Sequence, residues 1–291
     1  MYWQTTRFQI DLSTPRVMGI VNVTPDSFSD GGQNDSTAAA IKHCEKLIFE
    51  GVDILDIGGE STRPGAPALA VQDELDRVLP VVKAALTLGV PVSVDTYKPQ
   101  VMRAVLDLGV DIINDVWALR WQDQASVVTG PQVVAAHPNC GVCLMHMHRE
   151  PQTMQVQPMD GDVVQQVLLF LEHAAQALEA LGVDRNRILL DPGIGFGKTL
   201  EQNFSLLARQ SELLSIGLPL LIGWSRKSSL ATMTTQADKG QTLSAQQRLV
   251  PSLAAALLAV ERGSSVIRVH DVLETVQVLK VFDAIRSQST H

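Results

Sequence analysis

Met18-Gly19-Ile20-Val21-Asn22-Val23-Thr24-Pro25-Asp26-Ser27-Phe28-Ser29-Asp30-Gly31-Gly32 changes character within a few residues. Val17 to Val21 is an apolar run long enough for one buried strand. The chain then turns to Asn, Thr, Pro, Asp, Ser and Gly, the composition of an exposed loop. Pro25 fixes φ, Asp26 and Ser27 can bond nearby backbone, and Gly31-Gly32 permit positive φ. A short connection does not need so many hydroxyls and carboxylates around one aromatic residue, Phe28.

The same sequence of events, apolar strand and then polar glycine-rich loop, recurs along the chain. After Val17–Val21, strands are expected at Asp53–Ile57, Val90–Val94, Asp111–Ile113, Val142–Met145, Arg187–Leu190, Pro219–Ile222 and Val266–Arg268. Between them lie helical patterns: Ser36 to about Glu50, Val71 to Leu88, a short helix to Leu108, Asp162 to Leu181, Leu200 to Leu214, and a pair over Ser228–Arg262. A closing helix follows the last strand. Gln122 to Asn139 reads as a helix with an irregular connection, and Phe8 to Arg16 as a short lead-in, with hairpin character. Eight strand–helix units predict an α/β fold, a (β/α)8 barrel. It would be one domain over residues 1–291, with 1–16 as the N-terminal lead-in. A doubly wound open sheet would carry fewer units.

Composition narrows the function. A net charge of −8 argues against a general binder of nucleic acid or anionic membrane, which would present a basic face. Three cysteines, Cys44, Cys140 and Cys143, are too few and odd in number for a disulfide framework, so a reducing, cytoplasmic setting is expected. The N-terminus has no apolar core of a signal peptide. The longest apolar run, Leu253 to Val260, is too short to span a bilayer.

In such a barrel the site lies at the C-terminal ends of the strands. The polar residues there are Asn22, Thr62, Arg63, Asp95, Asn114, Asp191, Lys227, Arg268 and His270, with His146 less clearly placed. Carboxylates and an amide facing inward suit the donor-rich edge of a flat heterocycle. Arg63, Arg268 and His270 suit a phosphate. Asn22 beside a phosphate can offer an oxygen to Mg2+. Any one of these alone would be read as a strand-end cap or a surface ion pair. Their collection at one end of one barrel is what carries weight.

The blocks Met18–Gly32, Asp56–Gly65 (DIGGESTRPG), Ser93–Thr96 (SVDT), Ile112–Asp115 (IIND), Leu190–Lys198 (LDPGIGFGK), Ser225–Ser228 (SRKS) and Ile267–Asp271 (IRVHD) resemble the dihydropteroate synthase family. The resemblance runs from Met18 to Asp271. It implies a TIM barrel, usually dimeric. It also implies condensation of 6-hydroxymethyl-7,8-dihydropterin diphosphate with 4-aminobenzoate, with Mg2+ as cofactor, by an SN1-like route. Carried over by position, it assigns Asp95, Asn114, Asp191, Phe196 and Lys227 to the pterin. Asn22, Arg63, Arg268 and His270 go to the diphosphate, Asn22 also to the metal. Phe28, Thr62, Arg63, Pro64, Lys227 and Ser228 go to aminobenzoate, whose carboxylate would meet the start of the helix at Ser228. Asp95, Lys227 and Arg63 are the expected catalytic residues.

Two runs imitate other chemistry, and one departs from the family. Gly193 to Thr199 looks like a nucleotide-binding loop, but Pro192 stands where the first glycine is required. Cys140-Gly141-Val142-Cys143 with His146 and His148 looks like a zinc cluster. On a strand, neighbours point to opposite faces, so the four cannot easily converge. Pro251 replaces the glycine expected in the Arg-x-x-Gly-Ser pattern at Arg248, so the helix there should carry it in its first turn. Two other readings are a corrinoid-dependent methyltransferase domain and a non-catalytic homologue. The first would not need Arg63, Lys227-Ser228 and the Arg268/His270 pair. The second should have lost part of the set.

Overall fold

In the computed structural model, residues 1–24, 33–61, 68–122, 128–149, 159–234 and 243–288 are described. Phe28, Thr62, Arg63 and Pro64 therefore lie outside the described residues. The chain opens with a hairpin of β1 (Tyr2–Gln4) and β2 (Gln9–Asp11). Eight parallel strands follow: β3 (Arg16–Asn22), β4 (Ile54–Gly58), β5 (Val92–Asp95), β6 (Ile112–Asp115), β7 (Gly141–Met145), β8 (Ile188–Asp191), β9 (Leu221–Ile222) and β10 (Val266–Val269). Their order is β8-β7-β6-β5-β4-β3-β10-β9. A parallel bridge between Leu190 and Leu220, with Leu190 N donating to Pro219 O, joins the two ends into a barrel.

The helices are α1 (Gln33–Phe49), α2 (Val71–Ala85), α3 (Pro99–Asp107), α4 (Gly130–Ala136), α5 (Val163–Glu179), α6 (Leu200–Ala208), α7 (Gln210–Leu213), α8 (Ser228–Thr234), α9 (Leu249–Glu261) and α10 (Val272–Gln288). None is long and apolar enough to cross a membrane. The outward face of the strands packs on the helices through one apolar cluster, with Val17, Val21, Leu55 and Ile57 among its members. Gly19 faces that layer: a Cβ there would meet Val52, Leu47 and Val272 within 2.9–3.1 Å.

The inward face is layered, as period-2 alternation requires. Met18, Ile54, Ile112, Cys143, Leu189, Leu221 and Val266 form an apolar floor. The N-terminal hairpin closes it from below with Trp3, Ile10 and Leu12. Trp3 is fully buried, and its indole N–H donates to Arg187 O at 2.9 Å. Above the floor the inward positions turn polar. Asn22, Gly58, Asp95 and Asn114 are register partners across β3 to β6.

The expected eight units are present, with shifted edges. The hairpin begins at Tyr2, ahead of the expected Phe8, because Trp3 is a core residue in a strand of only three. The first helix begins at Gln33, before Ser36. The expected Leu200–Leu214 helix breaks at Arg209 (φ −107°, ψ 19°) into α6 and α7. Arg209 there forks onto Asp162 and Glu212. In the expected 122–139 region the described helix is α4, opened by a Thr129/Gln132 capping box. Pro251 is the third residue of α9, within the first turn, where its missing N–H breaks no bond.

Candidate active site

Alternation brings a side chain from nearly every strand to the barrel mouth. Arg268 of β10 lies at its centre. Its Nε donates to Asp56 Oδ2 of β4 at 2.6 Å, and its Nη2 donates to Asp95 Oδ2 of β5 at 2.8 Å. Asn114 Nδ2 of β6 donates to the same Asp56 oxygen at 3.1 Å. Asp56 Oδ1 and Asp95 Oδ1 are buried acceptors without a donor among the described residues. Burial pushes the Asp95 carboxyl up to about 7, against the pull of Arg268 and with the help of the Asp56 charge. Burial also works against the charge on Arg268, but Asp56 and Asp95 outweigh it and hold the guanidinium firmly protonated.

Asp191 ends β8, across the barrel. Its Oδ1 accepts from Gly193 N at 2.7 Å, and burial raises its carboxyl above the usual range despite that bond. Gly193 has φ +69°, and a Cβ there would lie 1.9 Å from His146 O, so only glycine fits this turn. The loop leads to Phe196. The Lys227 ammonium sits 4.4 Å from the Phe196 ring centroid. Burial and the nearby Arg268 lower the Lys227 ammonium to about 8, with Asp191 and Asp95 opposing.

Lys227 is placed by its neighbour. Arg226 adopts φ +58°. Its N–H donates to Ser252 Oγ at 2.9 Å, its carbonyl accepts from Arg248 Nη1 at 2.9 Å, and its guanidinium forks onto Asp271. The start of α9, with Pro251 beside Ser252, thus supports the loop that presents Lys227. Ser228 opens α8 directly after it. His270 N donates to Ser225 Oγ at 3.1 Å, and Ser225 Oγ lies 3.0 Å from His270 Nδ1. Burial, with Arg226 and Arg268 adding repulsion, drops His270 to about 3, so the ring is neutral. With Ser225 Oγ on Nδ1, Nε2 is the ring nitrogen that remains for a ligand. Asn22 ends β3 at the rim, half-buried.

An aromatic and thioether wall flanks the mouth: Tyr97, Val116, Met145 and Met147, with Trp117, Trp121 and Phe196 packed against them. The structure therefore gathers Asn22, Asp95, Asn114, Asp191, Phe196, Lys227, Ser228, Arg268 and His270 at one end of the barrel. His146 points away: its Nδ1 lies 2.9 Å from Lys198 Nζ, and its ring meets Phe170 edge-on. The two cysteines of the zinc-like run are divided between layers, Cys140 among the helix-facing residues and Cys143 in the barrel floor. Cys140 Sγ accepts from Arg187 Nη2 at 3.2 Å.

Asp56 is the site residue that reading strand ends overlooks. It lies two residues before the end of its strand, facing in. Its signal is parity with Ile54 and Gly58, together with being a carboxylate inside an otherwise apolar strand. Asp115 is a second buried carboxyl, up to about 7 through burial, with backbone bonds from Trp117 and Leu119 opposing. Those bonds shape the loop that carries Trp117.

Comparison with known proteins agrees with this geometry. Residues 18–270 match the family described as "Pterin binding enzyme". The dihydropteroate synthase of Neisseria meningitidis serogroup B is 47% identical over 290 residues, 97% of each chain. This chain belongs to the dihydropteroate synthase family. Among solved structures, Xanthomonas albilineans dihydropteroate synthase with 4-aminobenzoic acid superimposes with a TM-score of 0.87 at 45% identity, covering 98% of this chain and 99% of that one. Burkholderia cenocepacia dihydropteroate synthase complexed with 7,8-dihydropteroate gives 0.86 at 44%, covering 99% and 98%.

Asp56→Asn tests the central ion pairs. It removes the charge that partners Arg268 Nε, and a hydrogen bond to a charged group contributes about 1.5–3 kcal/mol. Urea unfolding near neutral pH is expected to show a loss of that order. An unchanged midpoint would mean that Asp95 alone holds the guanidinium.

Proposed function

We propose that this chain condenses 6-hydroxymethyl-7,8-dihydropterin diphosphate with 4-aminobenzoate, giving 7,8-dihydropteroate and pyrophosphate. The observation that carries the reading is the polarity of the mouth. Two carboxylate oxygens, Asp56 Oδ1 and Asp95 Oδ1, lack a donor. Opposite them the Lys227 ammonium rests on the Phe196 ring. A flat ring with N–H donors on one edge and acceptors on another completes both, and the pterin ring is such a molecule. Asn114 and Asp191 extend the donor-seeking side, and the Met145/Met147/Trp117 wall gives the ring a face to stack on.

The diphosphate would lie at the rim, toward Asn22, Arg63, Arg268 and His270. Arg268 uses Nε and Nη2 on carboxylates, which leaves Nη1 of the fork for an anion. His270 would offer Nε2 there. Aminobenzoate would take Phe28, Thr62, Arg63, Pro64, Lys227 and Ser228. Mg2+ favours oxygen ligands and few protein ones. The Asn22 amide oxygen with diphosphate oxygens fits that preference, and the bound ion would neutralise the departing pyrophosphate.

In an SN1-like route the methylene C–O bond breaks first and pyrophosphate takes the electron pair. The aminobenzoate nitrogen then forms the C–N bond and releases a proton to water. Asp95 would stabilise the pterin methylene cation by its charge, and Arg63, Arg268 and Lys227 the leaving group. The three cysteines are free and buried, which suits a cytoplasmic enzyme. A homodimer would use α9. Val250, Leu257 and Leu258 lie exposed on one face of this almost wholly apolar helix, Val250 at 74%.

Mixing the two substrates with the purified chain and Mg2+ is expected to release pyrophosphate and form dihydropteroate in equal amounts. Asp95→Asn should slow turnover by ~10²-fold or more, because a neutral amide cannot offset a cation. Turnover that survives this change would remove Asp95 from the mechanism.

The pH dependence of kcat/KM for the pterin diphosphate follows from the two shifted groups. Asp95 is ionised above about 7 and Lys227 is charged below about 8. Activity should therefore fall on both sides of a narrow optimum. Lys227→Arg keeps the charge at high pH, so the alkaline limb should move upward. A limb that stays in place would assign it to another group.

Leu257→Glu with Val250→Glu should convert a dimer to monomers in sedimentation velocity. A parent chain that sediments as a monomer would remove the dimer.

A further inference from the structure

The Gly193–Thr199 run that imitates a nucleotide loop has its lysine turned inward. Lys198 is 4% exposed. Its Nζ lies 2.8 Å from Gly193 O, 2.9 Å from His146 Nδ1, 3.1 Å from Phe196 O and 3.4 Å from His146 O. An ammonium has three N–H groups, and the three shorter contacts use them all. Donation to Nδ1 needs a ring nitrogen with a free pair, so His146 is neutral and carries its proton on Nε2. Burial, followed by the Lys198 charge, takes the His146 ring down to about 2, in keeping with this.

The acceptors are what make the arrangement informative. Gly193 O also accepts from Phe196 N at 3.1 Å, which closes the turn. Gly193 N is the donor to Asp191 Oδ1. On the other flank Gly195 N donates to Asn203 Oδ1 at 2.7 Å, and Asn203 is itself buried. Lys198 therefore grips both ends of the turn between Asp191 and Phe196 and ties it to the end of β7. The Phe196 ring is the platform under Lys227. An apolar side chain at this position would leave Phe196 O and His146 Nδ1 buried without donors, which is costly. Burial lowers the Lys198 ammonium to about 7, with Asp191 opposing the fall and Lys227 adding to it.

We infer that Lys198 is a positioning residue for the pterin side of the site: through Gly193 it orients Asp191, and through Phe196 it orients Lys227. It touches no substrate. It acts first on pterin affinity: of the residues assigned to aminobenzoate it reaches only Lys227, through Phe196, so that side is affected less. This rests on the pterin reading given above.

The test uses the full chain as Lys198→Met, Lys198→Arg and, as reference, Asp191→Asn. Calorimetry measures binding of 6-hydroxymethyl-7,8-dihydropterin. Steady-state kinetics give KM for each substrate, and melting gives stability. Losing a charged hydrogen bond corresponds to about tenfold or more in affinity. Lys198→Met is expected to weaken the pterin by about that factor, and to raise KM for the pterin diphosphate in parallel. KM for aminobenzoate at saturating diphosphate should rise by a clearly smaller factor, because only Lys227 is shared between the two sides. Lys198→Arg should recover part of the pterin affinity.

Pterin affinity within about twofold of the parent, with only the melting temperature lowered, would make Lys198 a packing residue and overturn the inference. So would equal losses for both substrates. If Lys198→Met does not fold, Asn203→Ala, which removes the bond from Gly195 N on the other flank of the same turn, takes its place. It should weaken the pterin with the same selectivity, and unchanged binding would overturn the inference. Should Asp191→Asn bind pterin normally, the pterin reading itself fails. If that variant loses pterin while the Lys198 variants keep it, only the positioning role fails.

Discussion

A guanidinium held between two carboxylates inside a barrel governs the rest of this structure. Arg268 could not sit at that depth alone, because a buried unpaired charge is prohibitively costly. Asp56 and Asp95 make it tolerable, and each keeps one oxygen without a partner among the described residues. The mouth is thus charge-compensated yet short of donors. That combination favours a ligand that brings N–H groups and no net positive charge at its ring. It also keeps a cationic group beside the place where an anionic leaving group would depart.

Around this centre the protein spends its second layer on loops. Arg226, bonded to Ser252, Arg248 and Asp271, sets the loop after β9. Asp115 sets the loop after β6 through two backbone N–H groups. After β4, Glu60 ties down its own neighbourhood: its carboxylate takes Leu69 N, Tyr97 OH and the buried Lys98, which Glu74 also binds. Strand ends in a barrel are precise to start with. These polar ties carry that precision a few residues further, to the side chains that face the ligand.

The sequence made the barrel legible because its glycines stop helices and its apolar runs are short and evenly spaced. Asn22, Asp95, Asn114, Asp191, Lys227, Arg268 and His270 were visible because they stand at strand ends or directly after them. Asp56 was not, since it sits inside a strand and only pairing with Arg268, 212 residues later, shows its part. Trp3 is not legible as a core residue, because three residues of strand carry no usable periodicity. The break at Arg209 depends on Asp162, which is 47 residues away. Long-range partners of this kind are what a local pattern cannot encode. The Gly193–Lys198 run shows the reverse: a local pattern suggesting phosphate, whose lysine the fold has turned onto its own backbone.

The hairpin beneath the barrel has a consequence for traffic. With Trp3, Ile10 and Leu12 packed under the floor, the barrel is stoppered at that end. On the pterin reading, a ring that paired with Asp56 and Asn114 would enter first and travel deepest, with its reactive methylene facing outward. Whatever follows it queues above, and nothing leaves from below. Pyrophosphate would then form nearest the exit, between the deep ring and the solvent. Order of arrival and order of departure are then matters of plumbing, decided by a three-residue strand at the far end of the molecule from the chemistry.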